Sequence, residues 1–231
     1  MIKRAHKRYL DLLCSVYVYN EHRGYTSLDR VLAAVRDGFP HDRAFIAKIE
    51  KHRADEFKHY LMFKRWFQQR GEMPYLVDEA CGQIDGIIEL CFGTEIETLD
   101  TEAVIASEAE FGKLCRVISL TERRGMKLVE GLLGSPLVLS DRNLVRILQV
   151  VERDEPSHWS PYEEWLEGHG GLKPRAFERF ADAFVNAAIV FAKMPVMFAN
   201  PRLRRRTDWP DEHDGAPAPL AADEPVGALA Q

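Results

Sequence analysis

Two pentads in this 231-residue chain share residue types and order: Asp55-Glu56-Phe57-Lys58-His59 and Asp154-Glu155-Pro156-Ser157-His158. On a helix, Glu at i and His at i+3 project from one face about a turn apart, so each pentad can present a carboxylate and an imidazole to one ion. A further glutamate precedes each at a similar interval. Glu21 stands 35 residues before Glu56, and Glu122 stands 33 before Glu155. All four glutamates interrupt otherwise apolar stripes, and an unpaired buried carboxylate is too costly to leave uncompensated. Four glutamates contribute a charge of about -4 and two divalent ions about +4, which leaves the site near neutral if the histidines are neutral. Mixed oxygen and imidazole ligation suits iron or manganese better than calcium or thiolate-seeking zinc. Two iron ions are expected, with manganese as the alternative, held by Glu21, Glu56, His59, Glu122, Glu155 and His158.

The elements that must position these residues read as helices throughout. Apolar residues recur at intervals of three and four, and strand alternation is almost absent. The pattern predicts a first helix over about Arg4–Arg36, with an inner stripe of Leu10, Cys14, Tyr17, Glu21, Leu28 and Val35. Gly38 and Pro40 end it. A second helix, about Asp42–Arg70, carries Phe45, Ile49, His52, Glu56, His59, Phe63 and Trp66 on one face. Residues 72–100 are too long for a hairpin turn and read as a crossover connection containing a short helix near Ile87-Ile88 and Leu90. A third helix, about Thr101–Leu133, places Val104, Phe111, Cys115, Ile118, Glu122 and Val129 inward. The fourth opens at Ser140 or Asp141, both good caps, and lines up Leu144, Leu148, Val151, Glu155, His158, Tyr162 and Trp165. Pro156 cannot donate to the carbonyl of Glu152 and should kink it. A fifth, strongly apolar segment covers about Pro174–Ala199.

The expected fold is therefore all-α: a four-helix bundle with one long crossover and an additional C-terminal helix. One Glu from each of two helices, with Glu-x-x-His from each of the other two, is the ligand set of carboxylate-bridged di-iron and di-manganese bundles. On these residues, over about 4–166, the chain resembles the ferritin-like di-iron carboxylate superfamily, which includes ferritins, rubrerythrins and several hydroxylases. The resemblance implies that Asp55 and Asp154 stand outside the ligands, each accepting a hydrogen bond from a liganding histidine of the opposite half: Asp55 from His158 and Asp154 from His59. Glu50, His52, Glu108 and Glu152 are expected at the rim or just outside the ligands rather than among them. Tyr17, Tyr25, Tyr60, Trp159 and Tyr162 read as packing aromatics before electron relays.

Composition narrows the remaining classes. A formal charge of -5 and a pI near 5.9 argue against general nucleic-acid binding through phosphate neutralisation. Cys14, Cys81, Cys91 and Cys115 form no C-x-x-C pair, so neither a zinc-ribbon site nor a disulfide framework is indicated. The basic N-terminus lacks the features of a signal peptide, and the expected location is cytoplasmic. Residues 1–200 are expected to form the bundle with its fifth helix, and 201–231 a basic stretch followed by a disordered tail beyond Asp208. The expected function is an oxidoreductase that activates O2 or peroxide and hydroxylates or otherwise oxidises a substrate the sequence does not define, with an equally undefined electron donor. A rubrerythrin- or ferritin-like peroxidase or ferroxidase is the alternative, and a non-enzymatic helical scaffold the second. Residues 174–206 are expected to meet an apolar partner, either a second copy in a homodimer or a membrane surface, with Arg204, Arg205 and Arg206 at the boundary with water or headgroups.

Overall fold

The structure, a computed structural model, describes residues 2–77, 81–171 and 173–214, and every regular element among them is helical. Helix α1 (Ile2–Gly38) and helix α2 (Arg43–Gln68) form a hairpin, and Asp42 caps α2 by accepting from the Phe45 N–H at 3.0 Å. The connection holds α3 (Gln83–Phe92) and a 3₁₀ turn, Ile96–Thr98. The continuous third helix expected from periodicity is two: α4 (Thr101–Ala106) and α5 (Glu108–Leu133). Ser107 lies between them in extended conformation, with its hydroxyl accepting from the Glu110 N–H. A serine followed at the third position by Glu is an N-terminal signal that competes with helix continuation.

After the short α6 (Pro136–Leu139), Asp141 caps α7 (Arg142–Asp154) by accepting from the Asn143 and Leu144 N–H groups. Pro156 then starts α8 (Pro156–Gly168). Glu155 still donates to Val151 O at 3.0 Å, and the turn tightens so that His158 donates to Glu155 O at 2.8 Å. The break thus falls between the Glu and the His of the second pentad. The fifth segment is α9 (Ala176–Ala187), a π-helical turn (Ala188–Lys193) and α10 (Met194–Ala199). Met194 donates to Ile189 O where Pro195 removes the next donor.

Helix α1 packs along α2, α5 packs along α7 and α8, and α2 joins the two pairs through α7 and α8. Buried apolar side chains fall into two clusters. One includes Leu28, Val35, Ile49, Phe111, Leu114 and Tyr162; the other includes Cys14, Phe63, Phe67, Val129, Leu148 and Val151. On α2, α5 and the α7–α8 pair a largely buried band of Glu and His separates them, whereas on α1 the two clusters interleave. All four cysteines are free thiols.

The C-terminal region departs from expectation. The tail assigned as disordered beyond Asp208 begins with residues that dock on the bundle. Trp209 is buried in the second cluster, and Asp211 accepts from the Tyr60 hydroxyl (2.6 Å) and Lys64 (2.7 Å). Asp214 lies 3.1 Å from His22 Nε2. A single buried indole and two carboxylates placed opposite matching donors outweigh an otherwise polar composition. The rest of the expected tail lies outside the described residues. Arg205 turns inward, onto the Tyr75 ring and Asp11, beside an isolated antiparallel bridge from Tyr75 to Arg205; Arg202 and Arg204 remain exposed. Residues 176–199 are long and apolar enough, by length and composition, to cross a membrane. One face of this segment, with Ala181, Val185 and Ile189, is buried against the protein, while Phe177, Phe180, Phe184 and Phe191 are exposed.

Candidate metal centre

Five of the six candidate ligands converge in two groups that share Glu56. Glu21, Glu56 and His59 form one, and His52, Glu56, Glu122 and His158 the other; within each, the ligand atoms lie within 4.8 Å of one another and could hold a metal ion. Helix α1 supplies Glu21, α2 supplies His52, Glu56 and His59, α5 supplies Glu122 and α8 supplies His158. His59 Nδ1 is 3.4 Å from Glu21, and His158 Nδ1 is 3.2 Å from Glu56 and 3.7 Å from Glu122. The sixth candidate, Glu155, sits at the Pro156 break. It is buried with its Oε2 3.8 Å from His158 Nδ1, outside both groups.

His52, expected at the rim or just outside the ligands, lies among the candidate ligands. Its Nε2 is 3.7 Å from both Glu56 and Glu122, its ring stacks on His158 at 4.3 Å between centroids, and its Nδ1 is 3.1 Å from the Tyr162 hydroxyl. Glu50 lies outside, paired with Arg36 at the surface. Among the other aromatics, Tyr17 stacks on Phe63, Tyr25 donates to Asp214 and Trp159 lies under the Arg123 guanidinium.

The two aspartates cross the bundle. Asp154 is 3.2 Å from His59 Nε2, and Asp55 is 3.6 Å from His158 Nε2. Lys58, also within the first pentad, joins them, with Nζ 2.6 Å from Asp55 and 2.7 Å from Asp154.

A repeat in the helices opposite escaped the sequence reading. Glu21-His22-Arg23-Gly24 and Glu122-Arg123-Arg124-Gly125 share an E-x-R-G pattern. A Cβ on Gly24 would come within 2.2 Å of Glu56 Oε2, and one on Gly125 within 3.6 Å of Glu155 Oε1. Each glycine faces the glutamate of the neighbouring pentad, and only the first is required by the close approach.

Charge in the centre is frustrated when protons alone balance it. Burial, reinforced by Glu56, pushes Glu21 up to about 7, and burial with neighbouring Glu122 pushes Glu155 up to about 10. Burial would raise Glu56 too, but His158 and His52 hold it well below the usual carboxylate range. Asp55 and Asp154 are likewise held low against burial, by His158, Lys51 and Lys58 and by His59 and Lys58 respectively. His59 and His158 are raised by these carboxylates despite burial, whereas burial and neighbouring His158 lower His52.

Among the described residues, six buried side-chain polar atoms lack a hydrogen-bond partner, and five of them are here: His52 Nε2, His59 Nδ1, Glu155 Oε2, and both ring nitrogens of His158. Each such orphan typically costs about 1–3 kcal/mol. Their concentration on imidazoles and a carboxylate, the donor types that iron and manganese take, fits a metal centre better than a salt-bridged core. No family model matches the chain, and neither a curated protein nor a solved structure is significantly similar to it.

Proposed function

We propose that the chain is a ferritin-like di-iron carboxylate oxidoreductase that uses O2 or peroxide to oxidise an organic substrate. The orphaned His52 Nε2, His59 Nδ1 and His158 Nδ1 of the two groups that share Glu56 are the observation that carries this reading. In it α1, α2, α5 and the α7–α8 pair are the four bundle helices, and the segment with α3 is the crossover. Glu21, Glu56 and His59 would hold one ion and Glu56, Glu122, His158 and His52 the other, with Glu155 buried beside the second group, 3.8 Å from His158 Nδ1. Iron in such a pair of sites supplies two-electron reduction of O2 or peroxide.

The chain's own residues orient the ligands, and the protons that Glu21, Glu155, His59 and His158 hold in the metal-free chain would leave on metal binding. Asp154 accepts from the distal nitrogen of His59, which fixes the tautomer that leaves its Nδ1 for metal, and Asp55 faces the distal nitrogen of His158 at 3.6 Å, an ion-pair distance that favours the same ring orientation. Lys58 offsets the charge of the two aspartates. The apolar clusters on either side exclude bulk water and strengthen electrostatic interactions in the band between them. Hydroxylation by O2 also requires two electrons and two protons from an external reductant, and leaves water as the second product.

Anaerobic reconstitution with Fe(II), followed by metal analysis and optical and Mössbauer spectra on mixing with O2 or peroxide, tests the proposal. About two irons per chain and a spectrum of antiferromagnetically coupled ferric ions are expected. A chain that takes up no iron, or takes it up without reacting with either oxidant, refutes it.

A further inference from the structure

A cavity of about 680 Å³, counting its mouth, opens between α1, α2, α3 and α5 and ends on His52, Glu56 and Glu122. Its walls are aliphatic: Leu28 and Val31 from α1, Ile88 from α3, and Leu114, Val117 and Ile118 from α5 are among them. No Phe, Tyr or Trp among the described residues lines it, and its one ring, the His52 imidazole, already stacks on His158.

Of the polar residues in the walls, His52, Glu56 and Glu122 belong to the metal centre, Thr101, Thr121 and Arg30 donate to backbone carbonyls, and Ser27 is the one remaining hydroxyl. Thr121 donates its hydroxyl to Val117 O at 2.9 Å, and the Arg30 guanidinium donates to the carbonyls of Ile96 and Leu99. Arg30 thereby contributes its methylene stem to the wall. Gly24 borders the inner end, where a side chain would collide with Glu56.

We infer that this cavity binds the aliphatic chain of the substrate, with one end of that chain lying against His52, Glu56 and Glu122. The inference rests on the proposed metal centre for its consequence, oxidation at the buried end, but the binding itself requires no metal. A molecule with charged or hydrogen-bonding groups along its length would lose hydration in these walls without gaining partners. A saturated chain loses nothing of the kind and gains the transfer of each methylene out of water.

Isothermal titration of the metal-free chain with octanol, dodecanol and hexadecanol, with dodecanoate and with benzoate, tests the binding. Saturable binding of the long-chain ligands is expected, with benzoate at least about tenfold weaker. Val31→Phe fills the cavity and should weaken the preferred chain by about tenfold or more. Ile88→Ala enlarges it and should shift the preference to a longer chain, with circular dichroism reporting whether each variant is folded. The Mn(II)-loaded chain then tests orientation. Paramagnetic broadening of ¹³C-labelled dodecanol should be greatest at one terminus and weaker at mid-chain.

Absence of binding to the metal-free chain, benzoate binding as tightly as dodecanol, or folded cavity variants with unaltered preference would each overturn the inference. So would uniform broadening along the chain. Failure to load metal with chain binding intact would count against the oxidoreductase reading and leave the aliphatic site standing.

Discussion

At the scale of single residues, Glu56 and Gly24 decide more than their neighbours. Glu56 belongs to both ligand groups, whereas Glu21 belongs to one. Glu56→Ala should therefore abolish binding of both ions, and Glu21→Ala should leave about one ion per chain, as read by elemental analysis of protein reconstituted with Fe(II). Two ions retained in Glu56→Ala would contradict the shared position. Gly24 and Gly125 occupy equivalent places in the E-x-R-G repeat, yet the clearance beside them differs: 2.2 Å to Glu56 Oε2 against 3.6 Å to Glu155 Oε1 for an added Cβ. The first is a collision and the second an ordinary contact. Gly24→Ala should weaken metal affinity by roughly 10–100-fold through displacement of Glu56, the range seen when a ligand loses its support. Gly125→Ala should leave affinity within about twofold, because nothing has to move. Competition titrations with a chelator separate the two outcomes.

At the scale of elements, the last long helix carries two opposed faces. Glu178 on α9 forms a buried ion pair with Arg116 at 2.8 Å, and Asp182 pairs with Arg124 at 2.6 Å, so the inner face is held to α5 by charge as well as by Val185 and Ile189. The outer face presents Phe177, Phe180 and Phe184 at intervals of three and four, each more than half exposed, and Phe180 stacks on Phe184 at 5.7 Å. A contiguous aromatic ridge of this kind marks an interaction surface, and exposed Arg202 and Arg204 follow it in the chain. Sedimentation with anionic vesicles should show binding that falls with salt and is lost when the three phenylalanines are replaced by serine. Each replacement should change stability by about 0.5 kcal/mol, since each side chain is more than half exposed. A lipid-independent dimer in analytical ultracentrifugation, abolished by the same substitutions, would instead mean that a second copy covers the ridge.

At the scale of the whole molecule, the buried band ties stability to pH and to metal. Glu21 and Glu155 have folded values of about 7 and about 10 against an ordinary 4.5, so the folded chain binds these protons more tightly than the unfolded one. The stability they contribute is complete below about pH 4.5 and is lost as pH rises through about 7 for Glu21 and about 10 for Glu155. His59 and His158, also raised, act with the same sign above their ordinary 6.5; His52, lowered, acts with the opposite sign. Asp55 and Asp154 contribute in the other direction and only in acid, where their protonation removes stability. The metal-free chain should accordingly melt at progressively lower temperature between about pH 5.5 and 9, and Mn(II), which displaces the site protons, should raise Tm more at the alkaline end. Calorimetry of both forms checks this; a stabilisation by Mn(II) that is the same across the range would mean that the ion binds away from the band.

Local rules made the helical architecture and much of the centre readable from residue order. Helical periodicity puts residues three and four apart on one face, so Glu56 with His59 and the apolar stripes around them follow from spacing alone, and Asp42, Asp141, Gly38 and Pro156 mark ends and a break through their own backbone chemistry. Ser107 carried the same kind of signal, hidden inside a stripe whose period runs on across it. Spacing does not specify how far one helix slides or rotates against another, because that depends on packing between residues distant in the chain. Only the tertiary structure therefore brought His52 between Glu56 and Glu122, set Glu155 back at the Pro156 joint, and seated Gly24 against Glu56. It also folded Trp209, Asp211 and Asp214 onto the bundle, where Tyr60 and His22, the partners of the two aspartates, lie more than a hundred residues earlier.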